Sequence, residues 1–150
     1  MGLGSAGSSP VSSNIHYNSY QYTVNHVNLT LGKKIPQTTI LYTRRSHQII
    51  YLLYKLGCVN NFYIHSTSVN NLKNKYLTFS IFFYKNSPFF KSLRVVSSPS
   101  KRHTITYGAL KIASQSLGNS ILLLSTTEGL LTHKDALYLK IGGLIIAVLN

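Results

Sequence analysis

Residues 120–137 read SILLLSTTEGLLTHKDAL, and this stretch decides the second half of the fold. The apolar run at its start is short and bounded by polar residues, which predicts a buried strand rather than a helix. TTEG (126–129) closes on glycine and predicts a turn. Thr132 stands three residues before Asp135, the spacing of an N-cap with an acid able to reach back in a capping box. A helix is therefore expected over 132–140. GGLIIAVL (142–149) predicts a second buried strand. The same stretch holds both acidic side chains of the chain, Glu128 and Asp135.

Outside it there is no acid at all, and the charge balance follows. Fifteen Lys and Arg against two acids give a formal charge of +13, with only 11% of residues charged; an ordinary globular domain has roughly a quarter. Self-repulsion of that size opposes compaction unless a polyanion supplies the countercharge. Nucleic acid is the first candidate and an anionic membrane the second. The 150 residues suit one domain or two small subdomains, and 44% hydrophobic content is ample for a core, which excludes wholesale disorder. The apolar runs fall well short of the roughly 20 residues that span a bilayer. The lone Cys58 excludes an internal disulfide and any multi-cysteine zinc site, and is expected as a small buried apolar residue.

Residues 1–19 open with MGLGSAGSSPVSS, Gly/Ser-rich, and are expected to form a flexible tail. The opening has neither the apolar region of a secretory signal nor the arginines of an import peptide, so the protein is expected either to work in the compartment where it is made or to carry an unconventional address. YQYTVNHVNLTL (20–31) is rich in β-branched residues and Asn, and propensity leaves its structure undecided. QTTILY (37–42) alternates as a strand does. TRRSHQIIYLLYKLG (43–57) carries Ile49, Ile50, Leu53 and Leu56 at helical spacing and stops at Gly57, so it predicts a helix. VNNFYIHS and KYLTFSIFFYK predict a hairpin joined by a polar loop over 70–75. KNSPFF (85–90) breaks the pattern and marks a subdomain boundary. KSLRVVS, a turn at SPSKR, HTITY and a helical stretch around 108–116 then lead into the opening quotation. The expected class is α/β (α+β), in two small subdomains: an N-terminal α/β half over 20–87 and a mostly β C-terminal half over 88–150.

Catalytic chemistry is not expected. No phosphate-binding loop or dinucleotide fingerprint occurs. His16, His26, His47, His65, His103 and His133 are scattered without metal-site spacing, so neither a metal nor a cofactor is expected. A Ser125–His133–Asp135 triad can be written down, but Asp135 is better explained by the helix start.

LLSTTEGLLTHKDAL followed by IGGLIIAVLN resembles the C-terminal signature of the universal small-subunit ribosomal protein number eight family, of the bacterial and organellar type. The matching positions are Leu123–Leu124, Ser125–Thr126, Gly129, Leu130–Leu131 and Ala136, with THKDA and the closing Gly-Gly strand. VSSPSKR resembles the family's Ser-basic-Pro-Gly loop at Ser97, Pro99 and Arg102, and the helix ending at Gly57 lies where the family has one. The resemblance spans residues 24–150 and is most specific over 120–150. Ser98, Ser100, Ser120 and Glu128 depart from the pattern.

The resemblance implies a ribosomal component that binds the central domain of small-subunit rRNA mainly through its C-terminal half, beside neighbouring small-subunit proteins. Carried over, Ser125, Thr126, Thr127 and Gly129 form the RNA-docking loop. Short hydroxyl side chains in a Gly-terminated turn suit a shallow RNA minor groove and its 2′-OH groups. Ser97 and Pro99 belong to the second loop, and Lys101, Arg102, Arg44 and Arg45 sit where phosphates can be met. Most tyrosines, Tyr51 and Tyr54 among them, are expected at the core or its edge. No membrane and no small-molecule substrate is implied. Heavy use of Tyr, Asn, Ile and Lys, typical of AT-biased organellar genes, points to a mitochondrial product, with a plastid as the alternative. A free-standing RNA-binding regulator is the rival function.

Overall fold

The computed structural model describes residues 20–70, 72–85, 87–97 and 101–150. The expected tail over 1–19 and the centre of the SPSKR turn, Pro99 included, lie outside them. The fold is α+β, with four helices and antiparallel sheets among the described residues. It divides into two compact units between Ile81 and Phe82. The pattern break at 85–90 falls within the second unit, where β4 (Phe83–Tyr84) pairs with β5 (Ser87–Pro88).

The first unit comprises α1 (Tyr20–Lys33), β1 (Thr38–Leu41), α2 (Arg44–Lys55), β2 (Val59–Val69) and β3 (Leu72–Ile81). Its sheet has the order β1-β3-β2, all antiparallel. Ile40 on β1, Leu77 and Phe79 on β3, and Ile49, Ile50 and Leu53 on α2 are buried and form the core with Val24 and Val27 of α1. Burial therefore settles the segment that propensity left open. Thr23, Val24, Val27, Thr30 and Leu31 recur at helical spacing and are all buried, and packing of such a face outweighs weak intrinsic preference. The edge strand is also tied to this helix, since the Leu41 amide donates to Tyr22 Oη at 3.3 Å.

Local chemistry alone explains α2. The Thr43 hydroxyl accepts from the Ser46 amide at 3.0 Å while Ser46 Oγ accepts from the Thr43 amide at 2.8 Å, a complete capping box. At the other end Gly57 has φ +84°. Gly57 N donates to Tyr54 O and Cys58 N to Leu53 O, the paired bonds of a Schellman stop. Cys58 beyond it is buried, and burial pushes its thiol up to about 11. The loop expected over 70–75 is shorter than read: the β2–β3 ladder runs on through Lys75, Asn74 and Lys73 to Leu72. Polar residues on a half-exposed hairpin give no loop signal of their own once cross-strand pairing is in register.

The second unit is built around β10 (Gly143–Leu149). β8 (Ile121–Thr126) pairs along one side of it. β6 (Leu93–Val95) and β7 (Thr104–Ile105) also pair with it. β9 (Gly129–Thr132) extends the sheet beyond β8. This strand was not expected. TTEG is the tip of a tight β-hairpin, and Gly129 with the three residues after it stays extended before α4 (His133–Leu139) begins. With α3 (Tyr107–Ser114), α4 covers one face of the sheet. Leu110, Leu122, Leu124 and Ala136 form the core there, with Ile105, Leu137, Ile141, Ile145 and Val148 packed around it. Thr132 Oγ1 accepts from the Asp135 amide at 3.3 Å, so the N-cap is present, while the Asp135 side chain itself is exposed.

Thr43→Ala removes the hydroxyl half of the α2 cap and should cost about 0.5–2 kcal/mol, read as a lower midpoint in chemical denaturation. An unchanged midpoint would show that α2 is held by packing alone.

Candidate RNA interface

β8 delivers Ser125 and Thr126 to the end of the sheet, and the hairpin turns over Thr127 and Glu128 before β9 returns at Gly129. Gly129 has φ +105°, a conformation that side chains with a Cβ rarely adopt. The Thr126 hydroxyl donates to Gly129 O at 2.9 Å and accepts from the Glu128 amide at 3.1 Å. Its donor and one acceptor lone pair are therefore used inside the turn, and the residue shapes the tip. Among the described residues the Ser125 and Thr127 hydroxyls are not engaged by the protein, Ser125 half-buried and Thr127 exposed.

The tip is seated against the start of β10. A Cβ on Gly143 would lie 2.5 Å from Ser125 O and 2.9 Å from Thr126 Cγ2, and one on Gly142 would lie 2.9 Å from Thr106 Cα. The Gly-Gly pair lets β10 slide between the hydroxyl hairpin and the β7–α3 corner. Register then aligns Thr104, Leu144, Ser125 and Leu130 across four strands. Cross-strand partners share a face of the sheet. Ser125 therefore lies on the face opposite Leu122 and Leu124, away from the α3–α4 core.

The residues flanking the basic loop meet the other edge of β10, at Ile145 and Ile146. Ser97 Oγ accepts from the His103 amide at 2.9 Å, and Ile145 N donates to His103 O at 2.8 Å. Ser97 thus closes the loop, and Lys101 and Arg102 are exposed just before the strand that pairs with Leu144. Two strand spacings, roughly 10 Å, separate Thr104 from Ser125, and the chain before Thr104 runs along β10 away from the hairpin tip. Ser125, Thr126, Thr127, Gly129, Ser97, Lys101 and Arg102 belong to the second unit. Arg44 and Arg45 sit exposed in the first turn of α2, in the first unit.

His133 supports the strand from behind. Its ring is 5% exposed, and Nδ1 accepts from the Leu122 amide at 3.2 Å, just past the last β8–β9 pair. Burial, and secondarily the charge of Lys134, hold its pKa below the usual 6.5. With Nδ1 taken by a strand amide, His133 is not oriented by an acid, and the Ser125–His133–Asp135 triad has no basis in this geometry. Neither this role nor that of the Gly-Gly pair was read from the sequence. The spacing of Gly142 and Gly143 was visible, but what they approach was not.

Thr126→Val should lower stability by about 1–3 kcal/mol through its two lost bonds, measured by denaturant unfolding; an unchanged value would mean that the hydroxyl does not hold the tip. For His133 the folded pKa lies below the unfolded one. Its contribution is complete above 6.5 and is lost as pH falls from there through the folded value. His133→Leu strands the Leu122 amide, costing about 1–3 kcal/mol near neutral pH. The gap to wild type should narrow on acidification to about pH 5, as seen by denaturant melts at the two pH values.

The family profile described as ribosomal protein S8 matches residues 24–149. The chain is 32% identical over 129 residues to small ribosomal subunit protein uS8c of Physcomitrium patens, covering 83% of this chain and 89% of that one. It is 28% identical over 102 residues to uS8m of Acanthamoeba castellanii, covering 68% and 75%. It is 24% identical over 116 residues to uS8 of Dictyoglomus turgidum, covering 77% and 84%. The match takes in both units and the whole hydroxyl hairpin: the chain belongs to the ribosomal protein S8 family.

Proposed function

We propose that this protein is a structural constituent of the small subunit of a mitochondrial ribosome, held to small-subunit rRNA chiefly by its C-terminal unit. The observation that carries the reading is the hairpin tip. Ser125 and Thr127 present two hydroxyls unused by the fold, on a turn fixed by Thr126 and Gly129 and seated against Gly143. Such groups suit the 2′-OH and base edges of a shallow minor groove. Lys101 and Arg102, exposed before the strand that pairs with Leu144, suit phosphates, and the formal charge of +13 supplies nonspecific attraction. Arg44 and Arg45, in the first unit, would also meet phosphate, since arginines in a helix's first turn oppose its dipole unless an anion joins them.

The relatives named above are proteins of small ribosomal subunits, from organellar and bacterial sources. Mitochondrial placement rests on the residue usage and on the likeness to uS8m. The role is binding and scaffolding, with rRNA and adjacent small-subunit proteins as partners and no chemical step.

Ser125→Ala with Thr127→Val should weaken binding to a central-domain rRNA fragment by roughly tenfold or more with the unfolding midpoint retained. The slope of log K against log salt should stay within one unit of wild type, because no phosphate contact is lost. Unchanged affinity would remove the hairpin from the interface. Sedimentation of the tagged protein from organelle extracts should place it with the small subunit; a free pool alone would overturn the ribosomal role.

A further inference from the structure

α2 has a second stripe. Ile49, Ile50 and Leu53 are buried in the core, while His47, Tyr51 and Tyr54 recur on another face at intervals of four and three. Tyr51 is 44% and Tyr54 45% exposed, so the expectation that they serve as core or core-edge residues accounts for only half of each ring. They join a continuous aromatic surface. His47 stacks on Tyr51 at 6.1 Å between centroids, Phe62 of β2 meets Tyr51 at 6.2 Å and Tyr54 at 5.5 Å, and Tyr42 extends the row to His47 at 5.9 Å.

Cations border this surface and carboxylates do not. Lys55 Nζ lies 5.1 Å from the Tyr51 ring centre and Lys75 Nζ 5.8 Å from that of Tyr42. Arg44 is exposed at the start of the same helix. The first unit contains no Asp or Glu, since Glu128 and Asp135 both lie in the second. A ligand for this face must offer flat apolar rings and negative charge together. A duplex offers phosphates but hides its base faces, and an acidic peptide offers rings beside its charge only where Phe, Tyr or Trp happens to adjoin Asp or Glu. An unpaired nucleotide offers both, a base for the tyrosines and a phosphate for the lysines.

We infer that the α2–β2 aromatic surface is a second RNA contact, which captures unpaired nucleotides by stacking on Tyr51 and Tyr54 with Lys55 on the adjoining phosphate. The inference rests on RNA being the partner, but not on the hairpin tip. The two surfaces divide the work: hydroxyls in the second unit read a folded RNA helix, and rings in the first hold a strand that is not paired.

The test uses the full chain and two probes, a fluorescently labelled oligouridylate of about 12 nucleotides, within the usual site size, and the structured central-domain fragment. Tyr51→Leu with Tyr54→Leu should weaken oligouridylate binding roughly tenfold or more, as loss of base stacking does, and change fragment binding less. Tyr51→Phe with Tyr54→Phe should keep oligouridylate affinity, since the rings remain. Should the double leucine variant unfold, Tyr54→Leu alone with Lys55→Gln gives the same comparison. Ser125→Ala with Thr127→Val should show the reverse preference, so failure of the hairpin reading and failure of this one are separable. Equal oligouridylate binding by wild type and the leucine variant overturns the inference. So does a loss equal for both probes, or a variant that binds both normally yet fails to recruit a neighbouring protein in reconstituted subunits.

Discussion

Where β10 begins, the backbone passes so close to two neighbours that no Cβ fits. Gly143 lies against Ser125 O and the Thr126 methyl, and Gly142 against the Ile105–Thr106 backbone. Much of the second unit depends on this approach. It brings β10 into register with β7 and β8 at Leu144, which places the hydroxyl hairpin and the strand that follows the basic loop in one sheet. It also presses the hairpin tip into a defined seat, so that Thr126 can bridge the turn by its hydroxyl. A methyl at either position would push the strands apart by more than a packed interior tolerates, and the tip would lose its support from below.

A second constraint is the near absence of acids. Helix N-termini leave amides without partners, and Asp or Glu is a common answer to both the hydrogen bond and the dipole. Here three helices start on threonine: Thr43 accepts from Ser46 N, Thr106 from Ala109 N, and Thr132 from Asp135 N. A hydroxyl satisfies the amide while adding no negative charge, so the caps leave the overall field strongly positive. The lysines in the last turns of α2 and α3, Lys55 and Lys111, follow the dipole in the ordinary way. Arg44 and Arg45 run against it, which is consistent with an anion arriving from outside.

Serine and threonine therefore do different things among the described residues. Thr43 and Thr132 cap helices, Ser97 and Thr126 close loops, Thr39 and Thr78 bond across strands, and the Ser125 and Thr127 hydroxyls are not engaged by the described residues. These roles differ in geometry alone. One hydroxyl chemistry serves them all, so Ser125, Thr126 and Thr127 look alike in the sequence even though only Thr126 is taken up by the fold.

What the sequence determined was local. The helix at 44–55 follows from the Thr43 start, the apolar spacing of Ile49, Ile50 and Leu53, and the stop at Gly57. The strands at 121–126 and 143–149 follow from short apolar runs between turn residues, and the family from the Ser-Thr and Gly-Gly pattern. Tertiary structure decided the remainder. It made a helix of 20–33, whose side chains are weak helix formers until one face is buried. It made a strand of 129–132, which is too short to announce itself without β8 alongside. It assigned Thr126 to the turn, set His133 behind Leu122, and left Tyr51 and Tyr54 half outside. Caps and periodicities are satisfied within a few residues of chain, whereas exposure and hydrogen-bond partners depend on which distant backbone arrives, and only the folded sheet fixes that.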